Sequence, residues 1–136
     1  MAAAVLANRA DEIAPRKIVV TSSGTSSWHI GESAHPLSQA TWTSAGYVHS
    51  HSARQFGAHS FSNLDLILAM DESNYANILA LASSESDRSK VHLLRAFDPA
   101  AESIEVPDPW GNEIQTYQEV LEMVESAVTG LLKTLR

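Results

Sequence analysis

The chain has 136 residues, of which 44% are hydrophobic and 18% are charged, and its formal net charge is −7. These values suit one globular domain, and the acidic balance argues against a nucleic-acid partner, because proteins that bind phosphate backbones gather Lys and Arg on one face. The absence of cysteine excludes disulfides, thiolate metal sites and a cysteine nucleophile within these residues. No segment has the pattern of a membrane span or a signal peptide, so we expect a cytoplasmic protein without a membrane partner.

The first part of the chain predicts a helix, a strand and a second helix. Residues 2–10 begin with strong helix formers, and residues 17–20 are a β-branched run that predicts a strand. A polar loop follows that strand. Residues 37–45 predict a weak helix that stops at Gly46, since glycine is the usual residue for a left-handed helix end.

An apolar run at residues 66–70 predicts a strand that is buried on both faces, as in a parallel sheet. Asp71 follows it directly and can cap a helix whose apolar residues recur at helical spacing in residues 75–82. Ligands bind beyond the carboxyl ends of strands in open α/β sheets, so Asp71, Ser73 and Asn74 lie where a site is expected. The alternative is that Asp71 only caps the helix.

The last part of the chain predicts one more strand and a long helix. Residues 91–94 suit a strand, and residues 116–135 carry an apolar stripe at helical spacing behind a capping-box pattern that starts at Thr116. The alternation of helices and strands along the chain predicts a parallel sheet with helices on both faces.

Histidines and an arginine occupy the loop before the buried strand. His49 and His51 are separated by one residue and lie near His59, but this spacing is not specific for zinc without a further adjacent ligand. We therefore expect no metal. Arg54 is a possible partner for a carboxylate such as Asp71.

Pro107 and Pro109 hold Asp108 in a stiff loop beside Trp110. An aspartate between prolines is typical of a turn, but a carboxyl group held beside an aromatic ring is also what a general acid requires. Trp28 is similarly either an anchor that packs on the core or a ligand contact. The residues alone leave both pairs of alternatives open.

Several motifs occur in the order and at the separations found in one family. They are Ser22-Ser23-Gly24-Thr25 with Trp28 and Gly31, His51-Ser52-Ala53-Arg54-Gln55, Leu68-Ala69-Met70-Asp71-Glu72-Ser73-Asn74, Phe97-Asp98-Pro99 and Asp108-Pro109-Trp110-Gly111. Together they resemble the low-molecular-weight protein-tyrosine phosphatases, with one domain spanning residues 1–136. The resemblance implies a three-layer α/β fold with a four-stranded parallel sheet, and hydrolysis of phosphotyrosine through a cysteinyl-phosphate intermediate without a metal or cofactor.

The resemblance also implies roles for particular residues. Asp108 would be the general acid that protonates the leaving phenol, and Trp28 and Trp110 would be walls of the slot that holds the aromatic ring. Residues that would brace the phosphate-binding loop by hydrogen bonds are Ser22, His51, Asp71, Ser73 and Asn74. The implied partner is a phosphotyrosine protein.

The chain departs from the family pattern at the nucleophile. The family carries it in a Cys-x5-Arg-Ser loop between the first strand and the first helix, and residues 1–5 resemble the helix that follows this loop. No residue of the chain replaces the loop's cysteine and arginine. Whether the chain is an enzyme is therefore open. We expect a domain truncated at its amino terminus, inactive by itself and able to self-associate. The alternatives are a catalytically silent relative that binds a protein partner, and a small acidic domain with an incidental histidine metal site.

The missing strand is internal in the family sheet. It would pair with residues 17–20 on one side and with residues 66–70 on the other. We use the term extended form for residues 1–136 preceded by such a strand and a Cys-x5-Arg-Ser loop.

Overall fold

The computed structural model describes residues 1–24, 36–50, 54–109 and 112–135. Within these ranges the chain has an α/β fold, as predicted. Its elements are α1 (Ala2–Arg9), α2 (Pro36–Ser44), β1 (Ile67–Ala69), α3 (Glu72–Leu81), α4 (Glu85–Arg88), β2 (Val91–Leu93) and α5 (Ile114–Leu135), with 3₁₀ turns at Ala10–Ile13, Ala58–Asn63 and Leu94–Phe97. Gly46 follows α2 with a φ of 91°, which confirms the predicted glycine stop.

The two strands form a parallel pair, in which Ile67 lies opposite Val91 and Ala69 lies opposite Leu93. Alternate residues of β1 face opposite sides of the sheet. Ile67 and Ala69 pack in a cluster with Ile78 of α3, whereas Leu68 packs against the core built on α5. The predicted burial of β1 between helices on both faces is confirmed.

The sheet of the described residues is smaller than the four-stranded sheet that was expected. Residues 17–20 do not form a strand, because no backbone hydrogen bond joins them to the backbone of another described residue. Ile18 is half-buried and Val19 is 94% exposed, so burial alternates as it does in a strand. β-Branched residues favour an extended backbone, but a ladder also needs a neighbouring strand, and the neighbour expected from the family is not among these residues.

Helix α5 supplies most of the core. Its buried residues are Tyr117, Val120, Leu121, Val124, Ala127, Val128, Leu131 and Leu132, which confirms the predicted apolar stripe. The helix begins at Ile114, so Thr116 lies in its first turn and donates its backbone N–H to Glu113, and the predicted capping box is wrong. No helix in the described ranges combines the length and apolarity needed to cross a membrane.

Polar contacts fix α1 and the segment after α2 against α5. Nη1 of Arg9 donates to the hydroxyl of Thr129 at 2.8 Å, and the hydroxyl of Tyr47 donates to the carboxylate of Glu125 at 2.6 Å. Burial and this hydrogen bond raise the pKa of Tyr47 to about 12. Helix α1 is therefore held against α5 both by core packing of Val5 and by the Arg9–Thr129 hydrogen bond.

Helix α5 and the turn at Leu94–Phe97 lie close together at Gly130. A β-carbon on Gly130 would overlap the carbonyl oxygen of Phe97, a backbone atom that a rotamer change cannot move aside. We expect Gly130→Ala to lower the free energy of unfolding of the extended form by about 1–3 kcal/mol, the usual cost of overpacking, although alanine favours helix. Urea unfolding measures this loss, with Ser126→Ala, at an exposed position of α5, as the control. Equal midpoints for the two variants would contradict the prediction.

Candidate functional site

Asp71 lies between the end of β1 and the start of α3. Its Oδ1 accepts the backbone N–H of Asn74 at 2.7 Å, so Asp71 is the N-cap of α3, as the sequence predicted. Ser73 is exposed in the first turn of the same helix. The capping bond fixes the carboxylate of Asp71 at the carboxyl edge of the sheet, where the family resemblance places support for a bound phosphate.

The segment that leads to Asp108 is attached to this same edge. The backbone N–H of Val106 donates to the carbonyl of Met70 at 2.7 Å, directly beyond β1. The carboxylate of Glu105 accepts the backbone N–H of Glu72 at 2.8 Å, and this N–H belongs to the first turn of α3. Val106 is also buried in the core cluster built on α5. Residues 105–106 are therefore fixed to both β1 and α3.

Asp108 follows two residues beyond this attachment and is exposed. Proline on each side restricts the backbone, and the N–H of Asn112 donates to the carbonyl of Pro109 at 2.9 Å. The loop thus presents the Asp108 carboxyl group to solvent from a backbone with few conformations. A proton donor to a bound ligand requires such a fixed and accessible position.

An open cavity of about 470 Å³ connects the start of α3 with the segment before Asp108. Its described lining residues are Asp71, Ser73, Arg95, Glu102, Ser103, Glu105, Val106, Pro107 and Met123. Carboxylates outnumber the single arginine among them, so this cavity does not provide the positive potential that a phosphate group needs. Phosphate binding in this region would require cationic or N–H donor groups from other residues.

The predicted supporting residues fall into two groups. Asp71 and Ser73 line the cavity, and Asn74 is hydrogen-bonded to Asp71. Ser22 is half-buried and is not among the described lining residues. Trp28, His51 and Trp110, also expected at the site, lie outside the described residues.

Arg54 does not pair with Asp71. It is exposed, and the described part of the chain contains no ion pair between these two side chains. The contribution of Arg54 is made by its backbone, since its carbonyl accepts the N–H of Gly24 at 2.8 Å within a parallel bridge between Gly24 and Gln55. This bridge brings the loop after residues 17–20 next to the segment that precedes β1.

Of this group of histidines, His49 and His59 lie within the described ranges, and His49 packs against an aromatic ring. The imidazole of His49 meets the Trp42 indole edge-on, with ring centroids 5.8 Å apart. Burial, together with the nearby amino terminus, lowers the pKa of His49. Where the structure describes the chain, no three His, Asp or Glu side chains are grouped so that they could hold a metal ion.

Sequence reasoning missed two residues of this region. Glu105 accepts the N–H of Glu72, and Nη1 of Arg95 donates to the carbonyl of Glu105 at 2.8 Å. No local pattern predicts a bond between Glu105 and a helix start 33 residues earlier in the chain. A weak signal existed for Arg95, because it follows β2 closely and the carboxyl ends of neighbouring parallel strands meet at one edge.

The model of the family described as low molecular weight phosphotyrosine protein phosphatase matches residues 1–136, so the chain belongs to this family. The chain is 42% identical over 139 residues to the low molecular weight protein-tyrosine-phosphatase of Streptomyces coelicolor, an alignment that covers all of this chain and 85% of that protein. It is 35% identical over 114 residues to low molecular weight protein-tyrosine phosphatase A of Mycobacterium tuberculosis, which covers 82% of this chain and 68% of that protein.

Solved structures agree with this assignment. The fold superposes with a TM-score of 0.92 on the crystal structure of a protein tyrosine phosphatase from Entamoeba histolytica with Hepes in the active site. That alignment has 28% sequence identity and covers 98% of this chain and 86% of the other. YfkJ from Bacillus subtilis superposes with a TM-score of 0.88 at 25% identity, covering 98% of this chain and 84% of that one.

Proposed function

We propose that residues 1–136 belong to a phosphatase that hydrolyses phosphotyrosine in proteins, and that they contain its general acid, Asp108. The segment that carries Asp108, residues 105–109, is called the acid loop. We propose also that the nucleophilic loop lies upstream of residues 1–136. The observation that carries the proposal is the attachment of the Asp108 segment to the sheet through the Val106–Met70 hydrogen bond. It fixes the backbone two residues before Asp108 at the carboxyl edge of a parallel sheet, where ligands bind in such folds. Membership of the phosphatase family supports the same reaction.

The proposed reaction has two steps. In the first, the cysteine thiolate of the upstream loop attacks phosphorus, the bond from phosphorus to the phenolic oxygen breaks, and Asp108 gives its proton to that oxygen. In the second, water attacks the cysteinyl phosphate, Asp108 takes a proton from the water, and the thiolate leaves with the electrons of the S–P bond. Both groups return to their starting states.

The other proposed roles follow the family pattern. Asp71, Ser73 and Asn74 would support the phosphate-binding loop from the start of α3, together with Ser22 and His51. Trp28 and Trp110 would flank the aromatic ring of the substrate. Asp71 is suited to this support because its Oδ1 is already held by the N–H of Asn74, which fixes the orientation of the carboxylate.

One observation favours a second function. The chain contains no cysteine, so by itself it has no group that can form the cysteinyl-phosphate intermediate. Residues 1–136 alone would then act as a catalytically silent module that binds a protein partner through the same cleft.

Aryl phosphate hydrolysis distinguishes these functions. We expect no turnover of 4-nitrophenyl phosphate by the 136-residue chain, and metal-independent turnover by the extended form, whose upstream segment comes from the natural upstream codons or from a family member. An extended form with serine in place of the loop cysteine is the control. Turnover that persists when the 136-residue chain is repurified would overturn the proposal, and an inactive but folded extended form would favour the silent module.

A further inference from the structure

Arg95 is one of the residues that line the cavity beside the segment before Asp108. Its Nη1 donates to the backbone carbonyl of Glu105 at 2.8 Å, and Arg95 lines the cavity together with Val106 and Pro107. The guanidinium group therefore contacts the backbone three residues before Asp108. Arg95 itself belongs to the 3₁₀ turn at Leu94–Phe97, which packs against α5.

The environment of Arg95 is not that of a residue placed for stability. Its Nε is buried without a hydrogen-bond partner in the described part of the chain, and an unpaired buried donor on a charged group lowers stability. Asp71, Glu102 and Glu105 border the same cavity, yet no ion pair joins Arg95 to any of them within the described ranges. The contact that Arg95 makes is to a backbone carbonyl, so it fixes the path of the chain and does not neutralise a carboxylate.

Glu105 is the point at which three elements hold the segment. Its carbonyl is held by Arg95, which follows β2, and its carboxylate is held by the first turn of α3. The next residue, Val106, is held by the end of β1. Among these three contacts, only that of Arg95 is made by a side chain that lies outside residues 105–106. A substitution of Arg95 therefore removes this contact without changing residues 105–106.

We propose that Arg95 is a positioning residue for Asp108, acting by holding the carbonyl of Glu105 so that the acid loop keeps one path. This inference rests on the proposed role of Asp108 as the general acid. Loss of the contact leaves the nucleophilic step intact but places the proton donor less accurately relative to the leaving oxygen. The effect on rate is therefore larger when the leaving group is more basic, because such a group depends more on protonation.

The test measures kcat/KM of the extended form with phenyl phosphate, a poor leaving group, and with 4-nitrophenyl phosphate, a good one. We expect Arg95→Met, which keeps an unbranched apolar stem but removes the guanidinium donors, to lower the value for phenyl phosphate roughly 10-fold, within the ~100-fold that a misplacement of about 1 Å can cost. The value for 4-nitrophenyl phosphate falls by less than about 3-fold. Arg95→Lys retains a donor and restores part of the loss. Arg88→Met, on the exposed helix α4, is the matched control.

Each outcome decides the inference. A leaving-group-dependent loss with Arg95→Met that Arg95→Lys partly repairs supports it. An unchanged ratio of the two kcat/KM values overturns it. If both values fall equally and the melting temperature falls too, the role of Arg95 is purely structural. Asp108→Asn is measured in parallel. If its loss of kcat/KM does not depend on the leaving group, the proposed function has failed. If Asp108→Asn shows a loss that depends on the leaving group and Arg95→Met does not, the inference about Arg95 has failed and the proposed function stands.

Discussion

Asp108→Asn is expected to lower kcat/KM of the extended form for phenyl phosphate by roughly 10²- to 10⁴-fold, the contribution of a positioned general acid. The amide has nearly the shape of the carboxyl group, so the loop keeps its prolines and its attachment through Val106. What is lost is the transferable proton. Phenolate must then leave unprotonated, which is costly for a basic leaving group.

Asp65→Asn is the matched control, since Asp65 is another exposed aspartate, in the segment before β1 and remote in sequence from the acid loop. Steady-state kinetics with phenyl phosphate and with 4-nitrophenyl phosphate completes the experiment. Loss of the general acid lowers kcat/KM more for phenyl phosphate, whose leaving group is more basic. A wild-type rate for Asp108→Asn on phenyl phosphate would assign the acid role to another residue.

The 136-residue chain, produced alone, is expected to be oligomeric, poorly soluble or partly unfolded. In the described residues β1 pairs with β2 on one side, and residues 17–20 are bonded to no described backbone group. Each polar backbone group that is buried without a partner costs about 1–3 kcal/mol. Several such groups together approach the roughly 5–15 kcal/mol net stability of a typical domain. Pairing of these edges with another copy satisfies the groups and gives self-association.

Light scattering coupled to size-exclusion chromatography measures the association, and thermal melting measures cooperativity. The extended form is the comparison, and we expect it to be monomeric with a single sharp transition. Val19→Lys in the 136-residue chain is a control for association through exposed apolar side chains, because Val19 is 94% exposed and outside the core. If that substitution alone restores a monomer, an apolar patch and not the open edges causes association. A monomeric, two-state 136-residue chain would contradict the prediction outright.

The features that could be predicted from sequence are those set by local chemistry. Asp71 follows an apolar run and precedes helical spacing, and these patterns specify both the strand and the cap that the structure contains. The stripe of α5 is equally local. Residues 17–20 show the limit of this reasoning, because β-branched side chains predict an extended backbone but hydrogen bonding depends on a neighbour elsewhere in the fold.

The same distinction between local patterns and long-range contacts applies to the candidate site. The flanking prolines and the family pattern are visible in the chain order, and they predict Asp108 as a site residue. The attachment of its loop could not be predicted, because Glu105 bonds to Glu72 and Arg95 bonds to Glu105 across contacts that leave no periodic signal. Thr116 shows that local reasoning also fails where an element starts earlier than its best capping pattern.

The attachment at residues 105–106 separates residues 99–104 from the residues that carry Asp108. Residues 99–104 bridge the turn after β2 and the attachment, and they are mostly exposed, with Ile104 at 48% exposure. Since the acid loop takes its position from β1, α3 and Arg95, the length of this bridge does not set where Asp108 lies. Lengthening a surface loop costs little, about 0.6 kcal/mol for each doubling. Residues 99–104 are therefore a place, within the described part of the chain, where this domain can gain an insertion, such as a recognition element for a protein partner, while the position of Asp108 stays constant.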